Sequence, residues 1–180
     1  MTSMPPENKS SSAWEIIKFA LVTLVIVIPV RAYVAQPFIV SGTSMDPTYK
    51  NGDYLIIDEL TYQFRPPARD EVIVFRYPND PAKFFIKRVI GLPGETVRVG
   101  AAGTFITKVD GTVEKLSEPY AVPFAAAVTT KTLKAGEYFV LGDNRPVSLD
   151  SRVWGVLPAN LITGRALVRL FPPNKIGLLI

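Results

Sequence analysis

The stretch "FFIKRVIGLPG", residues Phe84 to Gly94, places a lysine directly after three large apolar residues. Its β-branched and aromatic content predicts a β-strand. Side chains alternate between the two faces of a strand, so Phe85, Lys87 and Val89 share one face. The simple explanation is an edge strand with Lys87 in water, because lysine is rarely buried. The alternative is a lysine kept dry enough to lose its proton and act as a base.

Outward from this strand, the chain consists of short strand-like runs separated by turn signals rich in Gly, Pro, Asn and Asp. The other runs are "YLIID", "EVIVFRY", "ETVRVG", "TFITKVDGTVEKL", "EYFVLGD" and "ALVRLF". The sequence contains 16 prolines, which suit turns and sheet edges. The pattern predicts a mainly β fold, with an antiparallel β-sheet domain over residues 37–180.

The N-terminal region has two parts. Residues 1–12, "MTSMPPENKSSS", are polar and predict a disordered tail, because they cannot bury enough apolar surface to fold. Residues 13–36 contain an uncharged run from Phe19 to Val30 and predict a single transmembrane helix. A cleaved secretory signal is the alternative, but Arg31 lies where small residues would precede the cut. We therefore favour a retained anchor.

Composition restricts the chemistry that this chain can perform. The 180 residues include no histidine and no cysteine, so a histidine base, a thiol nucleophile and the soft metal ligands are excluded. Catalysis must use hydroxyls, carboxylates, amines or the backbone. The net charge of +4 is spread along the chain without a basic stripe, so we expect no nucleic-acid partner. Attraction to an anionic membrane surface fits this charge better.

The stretch "SGTSMDPTY", residues 41–49, follows the predicted anchor. Gly42 allows close approach of the backbone and Pro47 constrains the next turn, so the Ser44 hydroxyl can project from a rigid corner. A simple linker rich in serine and threonine is the alternative. The stretch is not a G-x-S-x-G nucleophile elbow, because Asp46 stands at the second glycine position.

A third stretch, "LGDNRPVSLDSRVWG" at residues 141–155, is unusually rich in charge for a loop. Its charged residues can form a lattice of ion pairs: Asp143, Arg145, Asp150 and Arg152. The Ser148 hydroxyl can orient a neutral lysine held by such a rigid loop. A solvated loop is the alternative. A calcium site is less favoured, because the glycine and the terminal glutamate of an EF-hand loop are missing.

Taken together, "SGTSMDPT", "FFIKRVIGLPGE" and "GDNRPVSLDSR", in this order behind a predicted anchor, resemble the type I signal peptidases. These membrane-bound serine proteases remove signal peptides from exported proteins. The resemblance extends to "GDYLIIDEL", "RDEVIVFRYP" and "GRALVRLFPPNKIG", and it leaves out a variable insert at about residues 99–134. It implies that Ser44 is the nucleophile and Lys87 the general base, supported by Ser148, Asp150 and Arg152.

The resemblance also implies the substrates and the location. Its substrates are precursor proteins whose signal peptides end in small residues of the Ala-x-Ala type, which require shallow apolar pockets. The candidate substrate-binding residues are Val40, Met45, Phe85 and Ile86. We expect no cofactor and no metal, a lipid membrane as the second partner, and a monomer. The expected location is a single-pass protein of the plasma membrane or an equivalent export membrane, with its catalytic domain on the extracytoplasmic side.

Three departures from the family pattern stand out. Gly42 replaces a serine that in some members donates a hydroxyl to the oxyanion, so the second oxyanion donor stays open. Asp70 stands where a glycine is frequent, and "RPVS" at residues 145–148 lacks the usual acidic and amide residues. Two alternative functions also stay open: a cytosolic serine/lysine protease without an anchor, and a membrane-tethered binding module in which Ser44 and Lys87 are not aligned.

Overall fold

Twelve β-strands form the framework of this computed structural model, which describes residues 9–27, 36–125 and 127–179. The predicted mainly antiparallel β fold is confirmed, since the strands pair antiparallel in two sheets. The strands are β1 (Gln36–Ile39), β2 (Tyr54–Asp58), β3 (Val72–Tyr77), β4 (Asp80–Gly91), β5 (Thr96–Gly100), β6 (Gly103–Thr107), β7 (Val113–Lys115), β8 (Thr129–Thr132), β9 (Glu137–Leu141), β10 (Leu157–Pro158), β11 (Ile162–Phe171) and β12 (Gly177–Leu178).

The large sheet has the order β1-β2-β11-β3-β4-β9-β10, with β12 paired to β11. Strand β4, which contains the stretch of Lys87, lies inside this sheet between β3 and β9. Strand β4 is therefore not an edge strand, and the explanation of Lys87 as a solvent-exposed lysine on a sheet edge is wrong. Lys87 pairs in register with Ile73 of β3, and the Ile73 side chain is fully buried.

The small sheet has the order β7-β6-β5-β8, and except for the start of β5 its strands lie in the predicted insert at residues 99–134. Its two connections to the large sheet run side by side. The Gly94 amide donates to the Leu133 carbonyl at 3.1 Å, and the Leu133 amide donates to the Glu95 carbonyl at 2.8 Å. The chain thus enters and leaves the small sheet at one place.

The core consists of three clusters of buried apolar side chains. One joins β2, β3 and β11 to the turn after β1, and its buried members are Val40, Met45, Tyr49, Leu55, Ile57, Val72, Val74 and Ala166. A second joins the small sheet to β9, and the third lies along β3, β4 and β9. Burying each large apolar side chain contributes about 1.5–3 kcal/mol to stability. The first cluster anchors the segment that carries Ser44.

The N-terminal residues form helix α1 (Lys9–Val22), followed by a short π-helix (Thr23–Val27). Helix α1 therefore begins inside the segment predicted to be a disordered tail. The apolar side chains of α1 are largely exposed, with Phe19 75% exposed.

The predicted transmembrane helix over residues 13–36 is not found as one element. No helix in residues 9–27, 36–125 or 127–179 has both the length and the apolar character to cross a bilayer. Residues 28–35 lie outside the described part of the chain, and β1 already begins at Gln36.

Candidate active site

Ser44 lies in the turn between β1 and β2, and its side chain is partly exposed. Gly42 stands before it with φ +93°, a left-handed conformation that glycine adopts without a steric penalty. The Gly42 amide donates to Asn51 Oδ1 at 2.9 Å, and the Tyr49 amide donates to the Met45 carbonyl at 2.9 Å. The Met45 and Tyr49 side chains are buried in the core. Both halves of this nucleophile turn, residues 41–50, are therefore held in place.

Lys87 lies within hydrogen-bond distance of Ser44, although 43 residues separate them in the sequence. Lys87 Nζ is 2.8 Å from Ser44 Oγ, and it also donates to the carbonyl of Ile86 at 2.7 Å. Only 4% of Lys87 is exposed. The amine is thus buried against a partly exposed hydroxyl, which is the arrangement that proton transfer between them requires.

Burial lowers the pKa of Lys87 from 10.5 to about 8, because an ammonium group loses its hydration there. The charges of Asp150 and Asp143 oppose this effect and raise the pKa, but they are the smaller contributions. A pKa near 8 leaves roughly one amine in ten neutral at pH 7, and the shift corresponds to roughly 3 kcal/mol. Desolvation of Lys87 therefore makes the neutral amine accessible near neutral pH.

Asp150 and Arg152, both predicted to support the site, form a bidentate ion pair. Arg152 Nε donates to Asp150 Oδ1 and Nη2 donates to Oδ2, each at 2.8 Å. The fully buried Asp150 also accepts from the Gly142 amide at 3.1 Å, and Arg152 Nη2 donates to the Arg145 carbonyl at 2.7 Å. These bonds connect both ends of the loop at residues 142–152, which we call the polar loop.

Ser148, predicted to orient the lysine amine, lies beside the site but makes no hydrogen bond to it. Among the described residues its buried Oγ has no hydrogen-bond partner. The polar loop approaches the nucleophile turn closely here: a Cβ added to Gly142 would lie 2.2 Å from Ser148 Oγ and 2.5 Å from the Ser44 carbonyl oxygen. The Lys87 amine instead uses Ser44 and Ile86.

A second ion pair, between Arg88 and Asp143, was not among the predicted site residues. Arg88 Nε and Nη2 donate to the two oxygens of the fully buried Asp143 at 2.9 and 2.6 Å. Thr48 donates to the same carboxylate at 2.5 Å, and the Asn144 amide donates to the Ser44 carbonyl at 3.0 Å. Asp143 thus connects β4, the polar loop and the nucleophile turn. The charge density of the loop was the available signal, but 55 residues separate the partners in the sequence.

An apolar groove of about 580 Å³ adjoins Ser44 and Lys87. Three of the four candidate substrate-binding residues line it: Val40, Phe85 and Ile86. The fourth, Met45, does not line it and is 1% exposed in the core below the nucleophile turn. The groove also includes Phe38, Leu55, Val74, Val147 and Leu149. Its apolar walls suit small side chains of an extended peptide.

The backbone at Ser44 is suited to bind a developing negative charge. No acceptor for the Ser44 amide is found among the residues that the structure describes. That N–H therefore remains available as a donor to an oxyanion. In residues 9–27, 36–125 and 127–179, no group of three acidic residues is placed to hold a metal ion.

A buried amine beside a serine hydroxyl and an apolar groove define a serine hydrolase of the serine/lysine type. Comparison with known proteins gives the family: a model described as signal peptidase, peptidase S26, matches residues 13–171. The chain belongs to this family.

Relatives of the same family match over nearly the whole chain. It is 37% identical to a probable signal peptidase I-2 of Synechocystis sp., over 99% of this chain and 83% of that protein. It is 39% identical to a probable signal peptidase I-1 of the same organism, over 92% of this chain and 88% of that protein. A signal peptidase I of Leptolyngbya laminosa is 38% identical, over 93% and 84%. The protein is a serine endopeptidase that removes signal peptides from precursor proteins.

Proposed function

We propose that Ser44 is the nucleophile and Lys87 the general base of signal-peptide cleavage. The observation that carries this proposal is the 2.8 Å separation between the buried Lys87 Nζ and the partly exposed Ser44 Oγ. Burial lowers the pKa of Lys87 to about 8, so the neutral amine is accessible near neutral pH.

The reaction follows from these two groups. The neutral Lys87 amine takes the hydroxyl proton of Ser44 as Oγ attacks the scissile carbonyl carbon. The tetrahedral intermediate collapses when the resulting ammonium returns a proton to the leaving amine, which departs as the new N-terminus. Water, activated by the same amine, then hydrolyses the acyl-enzyme and restores Ser44.

The Ser44 amide is the proposed oxyanion donor, since its N–H has no acceptor among the described residues. Gly42 contributes no hydroxyl, and its own amide is already bonded to Asn51. A second donor at position 42 is therefore not part of this proposal.

The groove is proposed to bind the residues before the cut. Val40, Phe85 and Ile86 supply apolar walls that accommodate the small side chains of an Ala-x-Ala segment. We further propose that Asp150 and Arg152 keep the polar loop rigid, and that the unpaired Ser148 hydroxyl rotates towards the Lys87 amine once substrate excludes water.

Residues 37–180 are proposed as the catalytic domain, with the insert at about 99–134, and residues 13–36 as a membrane anchor behind the tail 1–12. The exposed apolar side chains of α1 support the anchor, because water does not favour such a surface. The catalytic domain would then lie on the extracytoplasmic side. Extraction of membranes with alkaline carbonate should leave the full chain in the pellet, and its release would contradict the anchor.

Incubation of the purified enzyme with a precursor that carries an Ala-x-Ala site tests the dyad. Ser44→Ala and Lys87→Ala should each lower kcat at least about a thousandfold. Lys131→Ala, which removes an exposed lysine of β8, should cleave like the wild type. Equal cleavage by all variants would refute the dyad.

The pH dependence gives an independent test of the base. The active form is the neutral amine, so kcat/KM should rise with pH and level off above the Lys87 pKa of about 8. Below that pH it should fall about tenfold per unit. A rate that stays constant between pH 5 and 8 would exclude Lys87 as the base.

A further inference from the structure

The segment Glu118–Phe124 of the insert, which we call the brace segment, lies against the polar loop. The Val122 amide donates to the Asp143 carbonyl at 2.8 Å. The Glu118 carboxylate pairs with Arg145, and both side chains are buried, with 9% and 2% exposed. The insert therefore does more than extend the small sheet, because part of it covers the loop beside Ser44 and Lys87.

Two aromatic rings of the brace segment stack on arginines next to the dyad. The Arg88 guanidinium lies 3.9 Å from the centroid of the Tyr120 ring. The Arg152 guanidinium lies 4.9 Å from the centroid of the Phe124 ring. A guanidinium is attracted to an aromatic face, and each ring also shields it from water.

Tyr120 is itself held by a closed set of contacts. Its hydroxyl donates to Asp70 Oδ1 at 2.8 Å, and Arg88 Nη1 donates to the Asp70 carbonyl at 2.8 Å. Asp70 has φ +69°, a conformation in which a residue other than glycine is uncommon. Tyr120, Asp70 and Arg88 thus hold one another in a single arrangement.

The arginines matter because of the carboxylates with which they pair. Asp143 and Asp150 are the charges that favour the ammonium form of Lys87 and oppose the effect of burial on its pKa. Arg88 pairs with Asp143 and Arg152 with Asp150, so each arginine offsets one of these charges. The Lys87 amine itself is bonded to the Ser44 hydroxyl and the Ile86 carbonyl, and the residue opposite Lys87 on β3 is the apolar Ile73.

We infer that the brace segment is a positioning element of the protease: it keeps Arg88 and Arg152 on the two buried carboxylates and the polar loop against the nucleophile turn. It contacts the two arginines and Asp143, so it acts on the dyad through these residues. The inference deepens the proposed function and rests on the proposed Ser44–Lys87 dyad.

The test removes the two rings from the full-length enzyme. Tyr120→Ala and Phe124→Ala, singly and combined, let the arginines move and admit water to the amine. The acid limb of kcat/KM should then move to higher pH by about one unit, so that cleavage of an Ala-x-Ala precursor at pH 7 falls about tenfold while KM changes little. Tyr120→Phe and Phe124→Tyr keep the rings and should restore most of the wild-type profile.

Phe105→Ala is the matched control, because it removes another arginine–aromatic contact of the small sheet, to Arg98 at 4.4 Å. It should leave the acid limb unchanged. If thermal melting shows that the combined variant does not fold, Phe124→Ala alone serves as the test of the inference.

Two results would overturn the inference: wild-type kinetics in Phe124→Ala, or a lowered rate with an unmoved acid limb, which would indicate a structural role only. Ser44→Ala is assayed alongside. If it still cleaves, the dyad itself fails. If Ser44→Ala is inactive while Phe124→Ala retains the wild-type acid limb, only the inference about the brace segment fails.

Discussion

The two halves of strand β4 give the same side chain opposite properties. In the first half Lys83 is exposed and pairs with Asp80 at 2.9 Å, and its hydrogen bond to that carboxylate raises the pKa of Lys83. In the second half Lys87 is buried, and burial lowers its pKa to about 8. Only four residues separate the two amines.

The difference between them lies in what covers the strand. The polar loop and the nucleophile turn lie over the second half, where the Ser44 carbonyl accepts from the Asn144 amide at 3.0 Å. The first half is largely open to water. Whether a lysine on this strand is a solvated cation or a base is therefore decided by neighbouring loops rather than by the strand itself.

The largest effect is expected on kcat when Lys83 and Lys87 are each replaced by arginine. Lys87→Arg keeps the positive charge but cannot release a proton, so kcat on an Ala-x-Ala precursor should fall at least about a thousandfold. Lys83 lies at the rim of the groove, and Lys83→Arg should retain most of the wild-type kcat because one exposed cation replaces another. Substantial activity in Lys87→Arg would mean that another group is the base.

The carboxylates beside the two halves should differ in stability. Asp143→Ala leaves the largely buried Arg88 without its partner, and the free energy of unfolding should fall by about 3–5 kcal/mol. Asp80→Ala removes a carboxylate of the exposed pair and should leave the urea midpoint unchanged. Coincident urea curves for the two variants would contradict the difference in burial.

The smallest effect is expected from displacing the polar loop that lies over the second half of β4. Gly142→Ala places a Cβ 2.2 Å from Ser148 Oγ and 2.5 Å from the Ser44 carbonyl oxygen, so the polar loop must shift. Overpacking of this kind costs about 1–3 kcal/mol, and kcat/KM should fall about 10- to 100-fold. Gly177→Ala, where a Cβ meets nothing within 4 Å, is the control. Wild-type kinetics in Gly142→Ala would show that catalysis does not depend on the position of the polar loop.

Local patterns were sufficient to predict much of this arrangement. Strand alternation put Lys87 on an apolar face, and turn residues marked the corner that carries Ser44. Their proximity is not a local property, since 43 residues separate them, and it was expected only from the order of three motifs.

Contacts that depend on tertiary packing could not be predicted in this way. Met45 was expected in the groove because it neighbours Ser44, but a turn reverses the chain there and its side chain points into the core. The pairing of Arg88 with Asp143 depends on how the polar loop folds over β4. The contact of Tyr120 with Arg88 depends on where the insert returns to the large sheet. None of these leaves a periodic signal in the sequence.

The adjacent stems of the small sheet have a practical consequence. The chain leaves the large sheet near Gly94 and returns to it near Leu133. Extra residues inserted in the hairpin between β6 and β7 should therefore not displace Ser44 or Lys87. Asp110 and Gly111 form the exposed tip of that hairpin, and a Cβ at Gly111 would meet nothing within 4 Å. A fluorescent label or an affinity peptide spliced at this tip should leave precursor processing intact.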